Sequence, residues 1–226
     1  MDVRAIVMVC AWTLLCVQMG VYIHYKLRGK GRAYTLSKCA GSAIFTLTGL
    51  GALTRAPIDG YVLLMLCGAV LSFVGDYFLS LPQGHHRLRW GAAAFAIAHC
   101  FFMTAFIVEG GFHWQIIPFA ALVFMLELLG ARAIKLNFRG AAKGAALYIL
   151  TVTVMAAMAC SLLFLDVMEP TAAWMTAIGA VLFLVSDIVW MLYGLDKNLP
   201  NKVFKAINVV TYFPAVLLMM SALYYR

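Results

Sequence analysis

Of the 226 residues, 65% are hydrophobic and 12% are charged, against roughly 25% charged in a soluble domain. That composition excludes a soluble globular domain and leaves a polytopic membrane protein. The net charge of +8 is not a nucleic-acid footprint, because the basic residues stand in short loops and are not interleaved with aromatic ones; no nucleic-acid partner is expected.

Apolar runs occur in chain order at 3–25, 37–54, 60–82, 90–109, 113–131, 142–165, 172–194 and 203–225. About 20 residues of helix cross the roughly 30 Å of hydrocarbon, and lipid leaves helices as the only way to satisfy the backbone of such runs. The pattern predicts an all-α bundle of eight transmembrane helices in one domain, residues 1–226, with loops too short for a soluble domain. The second run is short and carries Lys38 at its start. The first run is full length, with no basic segment before it and no small-residue cleavage site, so a cleaved signal peptide is not expected. Cys10, Cys16, Cys39, Cys67, Cys100 and Cys160 fall in or beside apolar runs without a CxxC or Cys/His cluster. They read as buried inert thiols, with no metal or disulfide framework.

Loop charges alternate. Lys26, Arg28, Lys30 and Arg32 follow the first run; Arg87 and Arg89, with the solvated loop residues His85 and His86, follow the third. Arg132, Lys135, Arg139 and Lys143 follow the fifth, and Lys197, Lys202 and Lys205, offset by Asp196, follow the seventh. The opposite loops hold Arg55 with Asp59, then Glu109, then Asp166 with Glu169. The positive-inside rule then places the basic loops in the cytoplasm and both termini outside.

Three carboxylates lie inside the apolar runs: Asp76, Glu127 and Asp187. An acid in lipid costs several kcal/mol, from roughly 2.5 upward, and is by default a functional site. Asp76 and Asp187 occupy look-alike segments, Leu71-Ser-Phe-Val-Gly-Asp76 and Leu182-Phe-Leu-Val-Ser-Asp187, 111 residues apart. Nearly the same offset relates Lys38 to Tyr148 and His99 to Tyr212. The expectation is a parallel 4+4 repeat with halves 1–110 and 111–226. Asp76 is about 24 Å along its helix at 1.5 Å per residue, and Asp187 and Glu127 also come late on inward-running helices. Lys38, His99, Tyr148 and Tyr212, with Asn208 and Thr211, come early on outward-running ones. All converge on the inner half of the membrane and point to one polar cavity open to the cytoplasm, which Asp76 and Asp187 share.

Each residue also has a bland reading. Asp76 and Lys38 can be an ion pair tying two helices. Glu127, in Phe-Met-Leu-Glu127-Leu-Leu-Gly, divides between a structural hydrogen bond and a supporting place in the site. His99 can be a satisfied core histidine, and Tyr148 and Tyr212 packing residues. One protonated acid beside one ionised carboxylate is the pattern acid–base hydrolysis needs. No HExxH, GxSxG or P-loop pattern is present.

The chain resembles the YhhN family, the lysoplasmalogenases. The likeness lies in Lys38, in Phe-Val-Gly-Asp76-Tyr-Phe-Leu, in Gly91-Ala-Ala-Ala-Phe-Ala-Ile-Ala-His99, in Tyr148, in Gly179-Ala-Val-Leu-Phe-Leu-Val-Ser-Asp187 and in Val-Thr-Tyr212-Phe. It departs from the family in Cys39 after the lysine, where proline is frequent, and in Tyr212-Phe-Pro214-Ala. The resemblance implies hydrolysis of the vinyl ether bond of lysoplasmalogens to a fatty aldehyde and glycerophosphocholine or glycerophosphoethanolamine. Asp76, Asp187 and His99 would then be catalytic. Lys38 would meet the substrate phosphate, with Tyr148, Tyr212 and Glu127 on the substrate side. No metal or cofactor is implied; the partners would be a lysophospholipid substrate and membrane lipid, and the setting an inner or plasma membrane in a bacterium or the endoplasmic reticulum in a eukaryote. Two rivals stand beside this reading. A proton-coupled small-molecule or lipid transporter would also use intramembrane acids and repeats, and a scaffold or receptor would need the acids for stability alone.

Overall fold

The computed structural model describes residues 3–29, 31–55, 57–81, 85–136, 142–195 and 201–226. Eight α-helices occupy them: α1 (Val3–Arg28), α2 (Arg32–Ala52), α3 (Gly60–Ser80), α4 (His85–Gly110), α5 (Ile116–Ala133), α6 (Ala142–Ser161), α7 (Pro170–Leu195) and α8 (Asn201–Ala222). A 3-10 turn, Leu162–Phe164, follows α6, and no strand occurs among the described residues. Lys30, Arg139, Asp196 and Lys197 lie outside the described residues.

Seven helices are long and apolar enough to cross a membrane, and the chain is a multi-pass integral membrane protein. The eighth, α2, is not among them. Its buried face carries Ser37, Lys38, Ser42 and Thr48, polar residues that lower its hydropathy. His85 and His86 open α4 rather than sitting in a loop, and His86 is exposed. The cysteines also depart from expectation. All six are free, but Cys10, Cys16, Cys67 and Cys100 are exposed on the bundle's outer surface. That surface faces lipid, so a thiol there needs no protein burial.

Local signals set the ends. Asp59 caps α3 by accepting from the Val62 N–H at 3.1 Å. Gly111, at φ +76, closes α4 by donating its N–H to Ile107 O at 2.8 Å, a left-handed position that suits glycine. Pro170 opens α7, where its missing N–H is harmless.

Chain neighbours pack antiparallel. Ser42 of α2 meets Asp76 of α3 while Thr35 meets Ser80. In α3 and α4, Gly68 abuts Phe102 and Gly75 abuts Phe95. Two pairs more distant in sequence pack parallel: Gly41 and Gly49 of α2 abut Phe213 and Met220 of α8, and His99 of α4 meets Tyr148 of α6; α1 and α8 run antiparallel, with Lys26 meeting Asn208 and Arg4 meeting Tyr224. The most extensive helix contacts pair α7 with α8 and α3 with α4; α2 also packs on α8 and α4 on α6, while α5 packs chiefly on α6. Phe119, Leu122, Met125 and Leu126 of α5 are exposed.

Far from Asp76, one ionic cluster ties the end of the chain to two helix ends. Arg226 donates from Nη1 to Asp59 Oδ2 at 2.5 Å and from Nη2 and Nε to the Glu109 carboxylate at 2.6 and 2.8 Å. Its guanidinium lies 4.7 Å from the Tyr61 ring centroid. Burial works to raise the Asp59 pKa, but the Val62 N–H and the Arg226 guanidinium hold it below the usual carboxylate value. A depressed carboxylate stabilises the fold above its unfolded pKa, and that increment is lost as pH falls through the folded one. Solvent screens the Asp59 contact, whose side chain is 39% exposed, to about 1 kcal/mol or less, while the more buried Glu109 contact contributes roughly 1.5–3 kcal/mol. Arg226→Ala is therefore expected to lower the thermal midpoint by on the order of 5 °C at neutral pH. The gap to the parent should close as pH falls below about 4. A gap that persists unchanged in acid would show that the cluster acts through packing alone.

Candidate active site

Asp76 belongs to a stripe of small residues on α3. Gly68, Ser72 and Gly75 with Asp76 are all buried and recur at helical spacing. A Cβ on Gly75 would stand 2.7 Å from the Phe95 ring, so glycine there lets α4 approach the aspartate closely. Asp76 itself is 1% exposed. Lys38 Nζ forms an ion pair with Oδ1 at 2.8 Å. Ser42 Oγ and Tyr212 OH donate to Oδ2 at 2.5 and 2.6 Å. Lys38 and Ser42 are four residues apart, which puts them on one face of α2. The carboxylate is thus enclosed by an ammonium and two hydroxyl donors.

Asp187 sits on α7 with fewer partners. Tyr148 OH donates to Oδ2 at 2.7 Å. His99 Nε2 stands 3.7 Å from the same oxygen, beyond hydrogen-bond distance. His99 is fully buried, held edge-to-face against Phe183 with ring centroids 4.9 Å apart. Phe183 precedes Asp187 by one helical turn, so the histidine and the carboxylate meet the same face of α7. α7 and α8 are drawn together at Gly179, where a Cβ would stand 2.7 Å from Ala215 O.

The surroundings of the two aspartates match. Asp76 is met by Lys38 of α2 and Tyr212 of α8; Asp187 is met by Tyr148 of α6 and His99 of α4. These are the pairs that the 111-residue offset relates. The chemistry differs between them: one aspartate has an ammonium, the other an imidazole at longer range.

Asp76, Asp187, Lys38, Tyr148 and Tyr212 line one cavity of about 40 Å³. One water centre needs about 10–15 Å³, so a few waters fit, and a lipid headgroup does not without side-chain movement. Neither carboxylate is turned to lipid, since Asp187 is only 7% exposed. His99 is not on the wall and stands behind Asp187. Tyr22, Ser186 and Asn208 complete the polar lining. Ser42 had a sequence signal, the four-residue spacing from Lys38; Tyr22 and Ser186 had none, because a lone tyrosine or serine in an apolar helix is unremarkable.

Glu127 is not brought to this cavity. Thr153 Oγ1 of α6 lies 2.9 Å from one of its carboxylate oxygens and 3.2 Å from the other. It borders a separate apolar cavity with Phe124, Ile149 and Ile188. Its contact on α6 is Thr153, whereas Asp187 meets Tyr148 of that helix, and the two acids line different cavities.

An all-helical membrane protein with two aspartates on one small internal cavity defines the class. The sequence profile of the YhhN family matches residues 33–223, and the chain belongs to that family. No curated protein and no solved structure matches the chain.

Proposed function

We propose that this chain is a lysoplasmalogenase-like hydrolase that cleaves the vinyl ether bond of a lysoplasmalogen. The products are a fatty aldehyde and a glycerophosphocholine or glycerophosphoethanolamine. The observation that carries the reading is the unequal pair of aspartates on a cavity of water size. Both oxygens of Asp76 are engaged by donors, so a proton there would displace one of them. Asp76 is the standing carboxylate. Asp187 receives one hydroxyl and keeps an oxygen on which to carry a proton. Asp187 is the acid.

The steps balance on this assignment. Asp187 gives its proton to the vinyl carbon remote from the ether oxygen, using the π electrons and leaving an oxocarbenium ion. Asp76 stabilises that cation across the cavity, as the second carboxylate does in glycoside hydrolysis. Water adds to the cationic carbon and returns its proton to Asp187. The hemiacetal passes its hydroxyl proton to the ether oxygen and separates into aldehyde and alcohol. Tyr148 orients Asp187, with His99 walling its far side. Lys38 and Tyr212 orient Asp76. We also read the two four-helix halves as diverged copies, on the matching partner sets of the two aspartates.

The transporter reading is less well supported. α3 and α7 run unbroken through their aspartates, whereas transporter sites are often built on interrupted helices near the midplane. Purified protein in detergent micelles, supplied with lysoplasmalogen, should release aldehyde. Transport needs a sealed compartment and hydrolysis does not, so a folded protein without aldehyde release in micelles would sink the hydrolase reading.

A further inference from the structure

Lys26 is a buried cation that this chemistry does not use. It lies in the last turn of α1, 8% exposed, and precedes the residues matched by the family profile. Its Nζ donates to Asn208 Oδ1 of α8 at 2.6 Å and stands 5.5 and 5.3 Å from the ring centroids of Tyr22 and Tyr193. The Asn208 amide is fixed in orientation: its Nδ2 donates to Ser186 Oγ at 2.8 Å and Ser186 O at 3.1 Å, and Tyr193 OH donates to Oδ1 at 3.1 Å. Tyr22, Ser186 and Asn208 all line the aspartate cavity, so Lys26 stands immediately behind its wall. Lys205 lies one turn before Asn208 on the same face of α8.

Among the described residues no carboxylate pairs with Lys26. Lys38 is different, because its charge is balanced by Asp76 at 2.8 Å. With Asp187 carrying a proton and Lys26 an ammonium, the described residues of the site set two ammonium groups against one carboxylate, a surplus of one positive charge. An ammonium has three donors; Asn208 takes one, which leaves two for an anion. A buried charge without a counter-ion is costly, and an anionic ligand would remove that cost. A phosphodiester is a monoanion, matching the surplus.

We infer that Lys26, with Asn208 holding it in place, binds the phosphodiester of the lysophospholipid headgroup, the role the family resemblance gave to Lys38. This rests on the hydrolase reading above, and its test does not need turnover. The probes are a saturated ether lysophospholipid, which cannot be cleaved this way, and the matching alkylglycerol, which lacks the phosphate. Their affinities in detergent are compared for the parent, Lys26→Gln and Lys26→Arg. Gln keeps a donor for Asn208 while removing the charge, and Lys26→Met is the second variant should Lys26→Gln not fold. A charged hydrogen bond lost from the ligand predicts that preference for the phospholipid over the alkylglycerol falls about 10- to 100-fold. Lys26→Arg should retain most of it. A preference equal to the parent's, including one where both lipids weaken alike, would overturn the assignment to Lys26. An absence of aldehyde release from the vinyl ether substrate would instead strike the hydrolase reading and leave the binding result standing.

Discussion

Asp187→Asn is expected to reduce aldehyde release from a lysoplasmalogen by about 10²–10⁴-fold, the usual contribution of a positioned acid, while the protein stays folded. Asparagine keeps the shape of the side chain and an oxygen to accept the Tyr148 hydroxyl, which donates to Asp187 at 2.7 Å. What it lacks is a transferable proton. Protonation at carbon is the step that has no substitute in this mechanism, because water in the cavity is a far weaker acid than a carboxylic group. The effect belongs on kcat and not on KM, since the proton moves only in the transition state. Initial rates of aldehyde formation measure it, with the elution profile and thermal midpoint as controls for folding. A folded Asp187→Asn protein as active as its parent would remove Asp187 from the chemistry.

The bundle was legible from hydropathy because lipid excludes every alternative to a helix. The charged loops punctuated it, so the observed helix ends fall within a few residues of the apolar runs at most boundaries. Asp76 and Asp187 were legible because acids are rare in such runs, and the offset between them also carried Lys38 to Tyr148 and His99 to Tyr212. Position around the bundle was not legible. A residue count along a helix gives height, and by that count Glu127 falls near the aspartates. Its angular position depends on where α5 packs, and α5 lies at the periphery on α6. Lys38 illustrates the same limit. Its place near the start of α2 fits a headgroup contact as well as an ion pair, and only the rotation of α2 about its axis, which also turns Ser42 to the carboxylate, decides between them.

Asp76→Asn should behave unlike Asp187→Asn, because its first effect is on the fold. Asp76 lies between two hydroxyl donors at Oδ2 and the Lys38 ammonium at Oδ1. An asparagine oxygen turned toward Ser42 and Tyr212 would aim its amide N–H groups at an ammonium 2.8 Å away; turned the other way, the oxygen would accept from Lys38 and the N–H groups would face two hydroxyls. The first orientation sets donor against donor, the second makes both hydroxyls turn from donating to accepting, and either leaves Lys38 as a buried charge without a counter-ion. Removing one partner of a buried pair costs roughly 3–5 kcal/mol, a large share of a total stability of about 5–15 kcal/mol. The expected result is a large drop in thermal midpoint together with loss of aldehyde release. The double variant Lys38→Met with Asp76→Asn separates the two effects. With the unpaired ammonium gone, stability should recover by more than the single changes predict, a coupling of the kind double-mutant cycles measure. Activity should not recover, because no carboxylate remains to stabilise the oxocarbenium ion. A double variant that is both stable and active would reduce Asp76 and Lys38 to a tie between α2 and α3. One that is stable and inactive would place Asp76 in the reaction and Lys38 as the group that holds its charge there.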